Sequence, residues 1–141
     1  MENLNPSQIG DITELKCQAY LIEQGWNVLI PIGNHQKYDL VIEKDCKFYR
    51  IQVKHACKNS NGSYTIYTAN SVATTTKREV KHYVKEDVDF IASIIEDQLV
   101  IIPVEEISNC KQKIFRAVLP TQGQTAHCNL ISNYTVERYI L

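Results

Sequence analysis

Residues 38–56 read Tyr-Asp-Leu-Val-Ile-Glu-Lys-Asp-Cys-Lys-Phe-Tyr-Arg-Ile-Gln-Val-Lys-His-Ala. Two strand-like runs, Tyr38–Glu43 and Lys47–Ala56, flank a short turn at Lys44–Cys46, which predicts a β-hairpin. Side chains of a strand alternate between its two faces. Tyr38, Leu40 and Ile42 therefore share one face, with Asp39 opposite. Tyr49, Ile51 and Val53 share one face of the second strand, and Arg50, Gln52 and Lys54 the other. If the strands pair as drawn, Asp39, Gln52 and Lys54 come together on one face of a sheet.

An acid, an amide and a lysine are the parts that phosphodiester hydrolysis needs. A divalent ion must be held by oxygen ligands, where it polarises a phosphate and activates a water. Asp39 would be the anionic ligand, and the Gln52 side-chain carbonyl and Val53 backbone carbonyl supply neutral oxygens. Lys54 would sit beside the attacking water and offset developing charge.

Outward from the hairpin, residues 6–24 read as a helix. Asn5 is placed to cap it, Pro6 fits its first position, and Gly25 stops it. Ile12, Leu15, Ala19 and Ile22 form the expected inward stripe. Strands are expected at Trp26–Ile32, Ser63–Ala69, Val88–Ile95, Leu99–Val104 and Ile114–Leu119. Helices are expected at Thr74–Tyr83 and Asn133–Ile140, with a short helical start at Glu105–Ile107. The order α-β-β-β-β-α-β-β-α predicts an α/β (mixed α+β) fold, a central mixed sheet flanked by helices. The tyrosines, Tyr83 among them, are expected in the core or at interfaces.

The chain has 141 residues, 44% of them hydrophobic, enough for one domain with its own core. No apolar run reaches membrane-spanning length. The opening residues show no secretory signal, and five cysteines without CxxC spacing predict reduced thiols in a cytoplasmic protein rather than a disulfide framework or a zinc site.

Net charge is −1, but its distribution is uneven. Residues 44–85 carry nine basic and two acidic groups, whereas residues 86–106 carry seven acidic groups and no basic one. A positive segment of that kind can follow a phosphate backbone if it folds onto one face; it can equally be a solvated face. Within it, Lys58–Ser63 and Ala69–His82 hold residue types that meet DNA. Lys58, Lys77, Arg78 and Lys81 are candidates for phosphates, and Asn59, Asn61 and Asn70 for base edges. Arg50 fits either an ion pair or a phosphate contact.

Asp39, then Gln52-Val53-Lys54 across a hairpin, preceded by a helix with Gly10-x-x-x-Glu14, resembles the PD-(D/E)XK nuclease superfamily. Gly-Asp-Ile-Thr-Glu-Leu-Lys (10–16), Gly-Trp-Asn-Val-Leu-Ile-Pro (25–31) and the stretches at 38–42, 50–54 and 88–106 are similar to one small branch, which includes a group I intron-encoded homing endonuclease. The resemblance implies an α-β-β-β-α-β core and a metal-dependent, site-specific endonuclease acting on duplex DNA with Mg²⁺, for which Mn²⁺ can substitute. It implies Asp39 as central metal ligand, Lys54 as catalytic lysine, Gln52 in place of the usual acid and Glu14 as auxiliary ligand. Tyr38 stands where the motif has proline, and Gln52 removes one negative charge from the metal site. One domain with one site implies a homo-oligomer, dimer or tetramer, for cutting both strands. On this reading 1–141 is one nuclease domain with its core at about 6–107 and an extension at 108–141 for oligomerisation. A junction-type, structure-selective nuclease and a silent DNA-binding module on the same fold are the alternatives.

Overall fold

The computed structural model of the chain describes residues 3–119 and 129–140. Its centre is a five-stranded sheet in the order β1-β2-β3-β8-β9, with β1 at Asn27–Leu29, β2 at Leu40–Lys44, β3 at Lys47–Val53, β8 at Phe90–Ile95 and β9 at Gln98–Pro103. β3 and β8 run parallel and the other neighbours antiparallel, so the sheet is mixed as expected. Two tight turns shape it. Asp45 and Cys46 join β2 to β3, and Glu96 and Asp97 join β8 to β9, all four at positive φ. Successive left-handed residues match a two-residue turn to the right-handed twist of the strands it joins.

The sheet is buried on both faces. On one lie α1 (Pro6–Glu23) and α2 (Val136–Ile140), which pack Cys17, Leu21, Val136 and Ile140 onto Leu40, Ile42, Ile51, Phe90 and Ile101. On the other lies a four-stranded sheet, β11-β10-β5-β4 (Asn129–Leu130, Gln112–Arg116, Tyr64–Tyr67, Ala56–Lys58). It contributes Ala56, Ile66 and Phe115 against Ile91, Ile95, Val100 and Ile102. Strands covered on both sides read as continuous apolar runs, as Phe90–Ile95 and Leu99–Ile102 do. The core extends beyond residue 107, since Phe115, Ile131, Val136 and Ile140 are all buried in it.

Several expectations are corrected. Thr74–Tyr83 is not a helix: β6 (Ala69–Ala73) and β7 (Arg78–His82) form a separate two-stranded ribbon. Thr74 makes its turn, donating from its backbone N–H (2.8 Å) and hydroxyl (2.6 Å) to the Lys77 carbonyl. Consecutive threonines disfavour a helix, and a threonine hydroxyl readily closes a turn instead. The crossover between parallel β3 and β8, usually a helix, is therefore made of β4 to β7, so the middle helix of α-β-β-β-α-β is missing.

The inward stripe of α1 is also rotated. Thr13, Cys17 and Leu21 are buried, whereas Leu15 and Ile22 are 63% and 59% exposed. Thr13 can go inside because its hydroxyl is satisfied by the Ile9 carbonyl at 2.8 Å. Asn5 does cap α1, with Gln8 completing a reciprocal capping box.

The strand expected at Trp26–Ile32 is only Asn27–Leu29, and Pro31, which has no N–H to donate, lies beyond its end. The run at Lys47–Ala56 ends at Val53, and Ala56 begins β4 in the other sheet. Ser63–Ala69 is likewise divided between β5 and β6 at Thr68. The remaining strands and the 3-10 turn at Val104–Glu106 lie within two residues of expectation at their starts; Asn133–Ile140 is helical only from Val136.

Candidate active site

The register of the β2–β3 hairpin builds the site. Leu40 pairs with Ile51, so Asp39, one residue before the strand, lies across from Gln52. The Asp39 N–H donates to the Ile51 carbonyl at 2.9 Å and extends the ladder past Leu40. Gln52 Nε2 and the Val53 N–H donate to Asp39 Oδ2 at 2.6 and 2.7 Å. On the other side of β3, the Lys54 N–H donates to the Ala92 carbonyl at 2.9 Å. The backbone at 39 and 52–54 is thus held from both neighbouring strands.

Asp39, Gln52 and Lys54 line a cleft of about 370 Å³, and Lys37, Asn70, Lys81, His82, Tyr83 and Asp87 complete its walls. The three expected residues converge and are accessible. A second hollow of about 250 Å³ lies on the other side of Asp39, between Glu14, Ile30, Pro31, Asn34, Gln36 and Tyr38. Glu14 shares this space with Asp39 because the true inner face of α1 passes through Cys17, one turn along from Glu14.

Burial raises the Asp39 carboxyl above its usual range, against the lowering effect of the Val53 N–H, the Lys54 charge and Gln52. Burial also raises Glu14, helped by the negative charges of Asp39 and Asp11. Burial, and after it the Glu14 and Asp39 carboxylates, push the Cys17 thiol up to about 12. Two partly buried carboxylates, both costly to ionise and one raised further by the other, form a site that gains from a cation. Carboxylates, an amide carbonyl and a backbone carbonyl are the hard oxygen donors that Mg²⁺ takes. Among the described residues no three His, Cys, Asp or Glu side chains converge. The residues that could hold a divalent ion are therefore two acids, Asp39 and Glu14, with the Val53 carbonyl; Gln52 turns Nε2 to Asp39 (2.6 Å) and to the Val53 carbonyl (3.4 Å), so its amide would have to turn over to offer its oxygen.

The basic segment is sorted by its partners. Arg50 is structural: it pairs with Asp89 at 3.2 Å and donates to the Glu86 and Lys85 carbonyls. Lys85 pairs with Asp89 and Glu105, Lys37 with Asp87, and Lys113 with Glu106. The acidic stretch at 86–106 thus neutralises charges away from the ribbon. Among the described residues Lys58, Arg78 and Lys81 carry no ion pair, and Lys77 meets only Glu79, at 3.6 Å.

The ribbon is exposed wherever it is described from Asn70 to Lys81. Lys81 pairs directly with Asn70, so the two share a ribbon face. Both also line the cleft.

The asparagines expected to read bases are occupied with protein. Asn59 Nδ2 donates to Ser63 Oγ and Thr65 Oγ1, both at 2.9 Å, and Asn61 Oδ1 accepts from the Ser63 hydroxyl at 2.6 Å. Both shape their own loop. Asn70 holds Lys54 and Tyr83. His55 is exposed, with Nδ1 3.2 Å from the Thr13 hydroxyl.

Tyr83 was legible only as a core residue, and its place in the cleft wall has no local sequence signal. Cys17, Cys46, Cys57 and Cys110 are free thiols; Cys128 lies outside the described residues. No helix among the described residues is long and apolar enough to cross a membrane.

A sequence model of the PD-(D/E)XK endonuclease family matches residues 4–137. The chain belongs to this family. It is a nuclease of the type that binds DNA and generally works with divalent metal ions. Among solved structures it is similar to a bacterial homing endonuclease, I-Ssp6803I, with a TM-score of 0.77 and 23% identity over 88% of this chain and 86% of the other. That likeness is one of fold. No curated protein matches.

Proposed function

We propose that the chain is a metal-dependent, site-specific endonuclease of homing type that hydrolyses duplex DNA. The observation that carries this reading is the convergence of Asp39, Gln52 and Lys54 on one accessible cleft, with an exposed basic ribbon forming part of its wall. Asp39 and Glu14, with the Gln52 and Val53 oxygens, would hold Mg²⁺, for which Mn²⁺ can substitute. When bound, the ion would polarise the scissile phosphate and lower the pKa of an attacking water. Lys54 orients the attacking water and offsets the charge that develops on the phosphate. Lys58, Lys77, Arg78 and Lys81 contact phosphates, and Lys81 does so nearest the chemistry. The ribbon has the dimensions of an element that the DNA major groove admits.

One site per chain requires at least two copies to cut both strands, so the working form is a homo-oligomer, a dimer or a tetramer, acting on a palindromic or pseudo-palindromic site. The bland alternative, a silent DNA-binding module, draws support from Gln52, which leaves only two acids for the ion. Incubating purified protein with a plasmid library in Mg²⁺ or Mn²⁺ and sequencing the new ends separates these readings. Recurrent ends at one sequence are expected. Binding without scission would favour the silent module, and cleavage of four-way junctions regardless of sequence would favour a structure-selective nuclease.

A further inference from the structure

We propose that Asn70 and Tyr83 are positioning residues that hold the Lys54 ammonium at the cleft and tie its position to the ribbon. The inference rests on the nuclease reading above and assigns Asn70 a task other than base reading. Lys54 leaves β3 at the strand's last backbone anchor, with a long flexible side chain that nothing on its own strand fixes. Its Nζ crosses the cleft and donates to Asn70 Oδ1 at 2.7 Å. The same Nζ lies 5.3 Å from the centroid of the Tyr83 ring, within the range of a cation–π contact. Asn70 Nδ2 in turn donates to the Tyr83 hydroxyl at 2.7 Å.

The donor pattern allows one orientation of the amide. An ammonium can only donate, so it must meet Oδ1, which turns Nδ2 to the tyrosine oxygen, an acceptor. The far end of the chain is rigid. Tyr83 is 5% exposed and packs in the same core cluster as Ala56, Ile66, Val88 and Phe115. Asp39 Oδ2 already accepts from Gln52 and Val53, so the lysine takes a neutral acceptor on the opposite wall. A neutral amide holds the ammonium without placing another negative charge beside a phosphate. Asn70 pairs with Lys81 across the ribbon, so the element proposed to seat on DNA also carries the lysine's holder.

The test uses full-length protein and a DNA duplex bearing the site found in the library experiment. Single-turnover cleavage in Mg²⁺ is measured beside DNA affinity in Ca²⁺. Asn70→Ala should slow cleavage about tenfold, the scale of a misplaced catalytic group, and leave DNA affinity within about twofold. Asn70→Asp keeps an acceptor for Lys54 but adds the negative charge that the neutral amide avoids, and should recover only part of the rate. Tyr83→Phe keeps the ring and should slow cleavage about threefold. Asn70→Ala with Tyr83→Phe should be no slower than Asn70→Ala alone, because residues acting through one group are not additive.

A metal-free readout accompanies these: acetic anhydride labelling of lysine amines, read by peptide mass spectrometry, should modify Lys54 faster in Asn70→Ala than in wild type. Wild-type cleavage by Asn70→Ala, or weakened DNA binding at an unchanged rate, would overturn the positioning role and leave the nuclease reading standing. Additive losses in the double variant would also overturn it. A wild-type protein that cuts nothing in either metal would sink the nuclease reading and this inference with it.

Discussion

Two of the protein's hairpins, β2–β3 and β6–β7, are of opposite character. The β2–β3 hairpin lies in the central sheet, with Leu40, Ile42 and Ile51 fully buried. The β6–β7 ribbon pairs with no other described strand and is exposed wherever it is described from Asn70 to Lys81. The first carries Asp39, Gln52 and Lys54; the second carries Lys77, Arg78 and Lys81. The proposed chemistry, which tolerates little displacement, lies where core packing and two flanking ladders determine the backbone. The surface proposed to fit an extended, charged partner lies where little else constrains it.

Cleavage should divide along this line. Asp39→Ala and Lys54→Ala should each lower the cleavage rate by about a thousandfold or more, the scale of losing a group that stabilises transition-state charge, and leave DNA affinity largely intact. Wild-type rates in both variants would remove the hairpin from the chemistry. Stability should divide in the same way. Ile51→Ala should cost about 2–5 kcal/mol as a buried large-to-small change. Val80→Ala, at a position 44% exposed on the ribbon, should change stability by less than about 0.5 kcal/mol. Denaturant unfolding of the two variants checks this, and comparable losses would show that the ribbon is part of the core.

DNA binding should depend on the ribbon instead. Lys77→Ala combined with Lys81→Ala should lower the slope of log affinity against log salt by up to about two, at roughly 0.9 per phosphate contact. An unchanged slope would take the ribbon out of the interface.

A smaller effect concerns pH. Asp39 and Glu14 are both raised in the folded protein. Without metal, the folded chain keeps protons on these groups that the unfolded chain has already released. Their contribution to stability therefore falls as pH rises from the ordinary carboxylate range through the raised folded values. Asp39→Asn removes one such group, so its melting temperature relative to wild type should climb through that window in metal-free buffer. A difference that stays constant with pH would show that the Asp39 carboxylate is not strained by burial.

The first hairpin was legible because its residues obey one rule throughout. Alternation from Leu40 to Glu43 and from Tyr49 to Lys54, around a short polar turn, admits one pairing, and that pairing places Asp39 across from Gln52. The ribbon was not legible, because Lys77-Arg-Glu-Val-Lys-His82 fits an exposed helix as well as an exposed strand when no core face breaks the tie. The rotation of α1 was hidden for a related reason. Its buried face uses Thr13 and Cys17, while the more apolar Leu15 and Ile22 face outward. The resemblance implies Glu14 as an auxiliary ligand, but the geometry that brings it near Asp39 follows only from that rotated face. The link from Lys54 through Asn70 to Tyr83 joins three positions on separate elements and leaves no periodic trace.

Mn²⁺ titration followed by electron paramagnetic resonance of the free ion tests, without any DNA, whether the oxygens around Asp39 hold an ion. Wild type should show a saturable site that Lys54→Ala retains and Asp39→Ala loses. Equal binding by wild type and Asp39→Ala would contradict an ion held there.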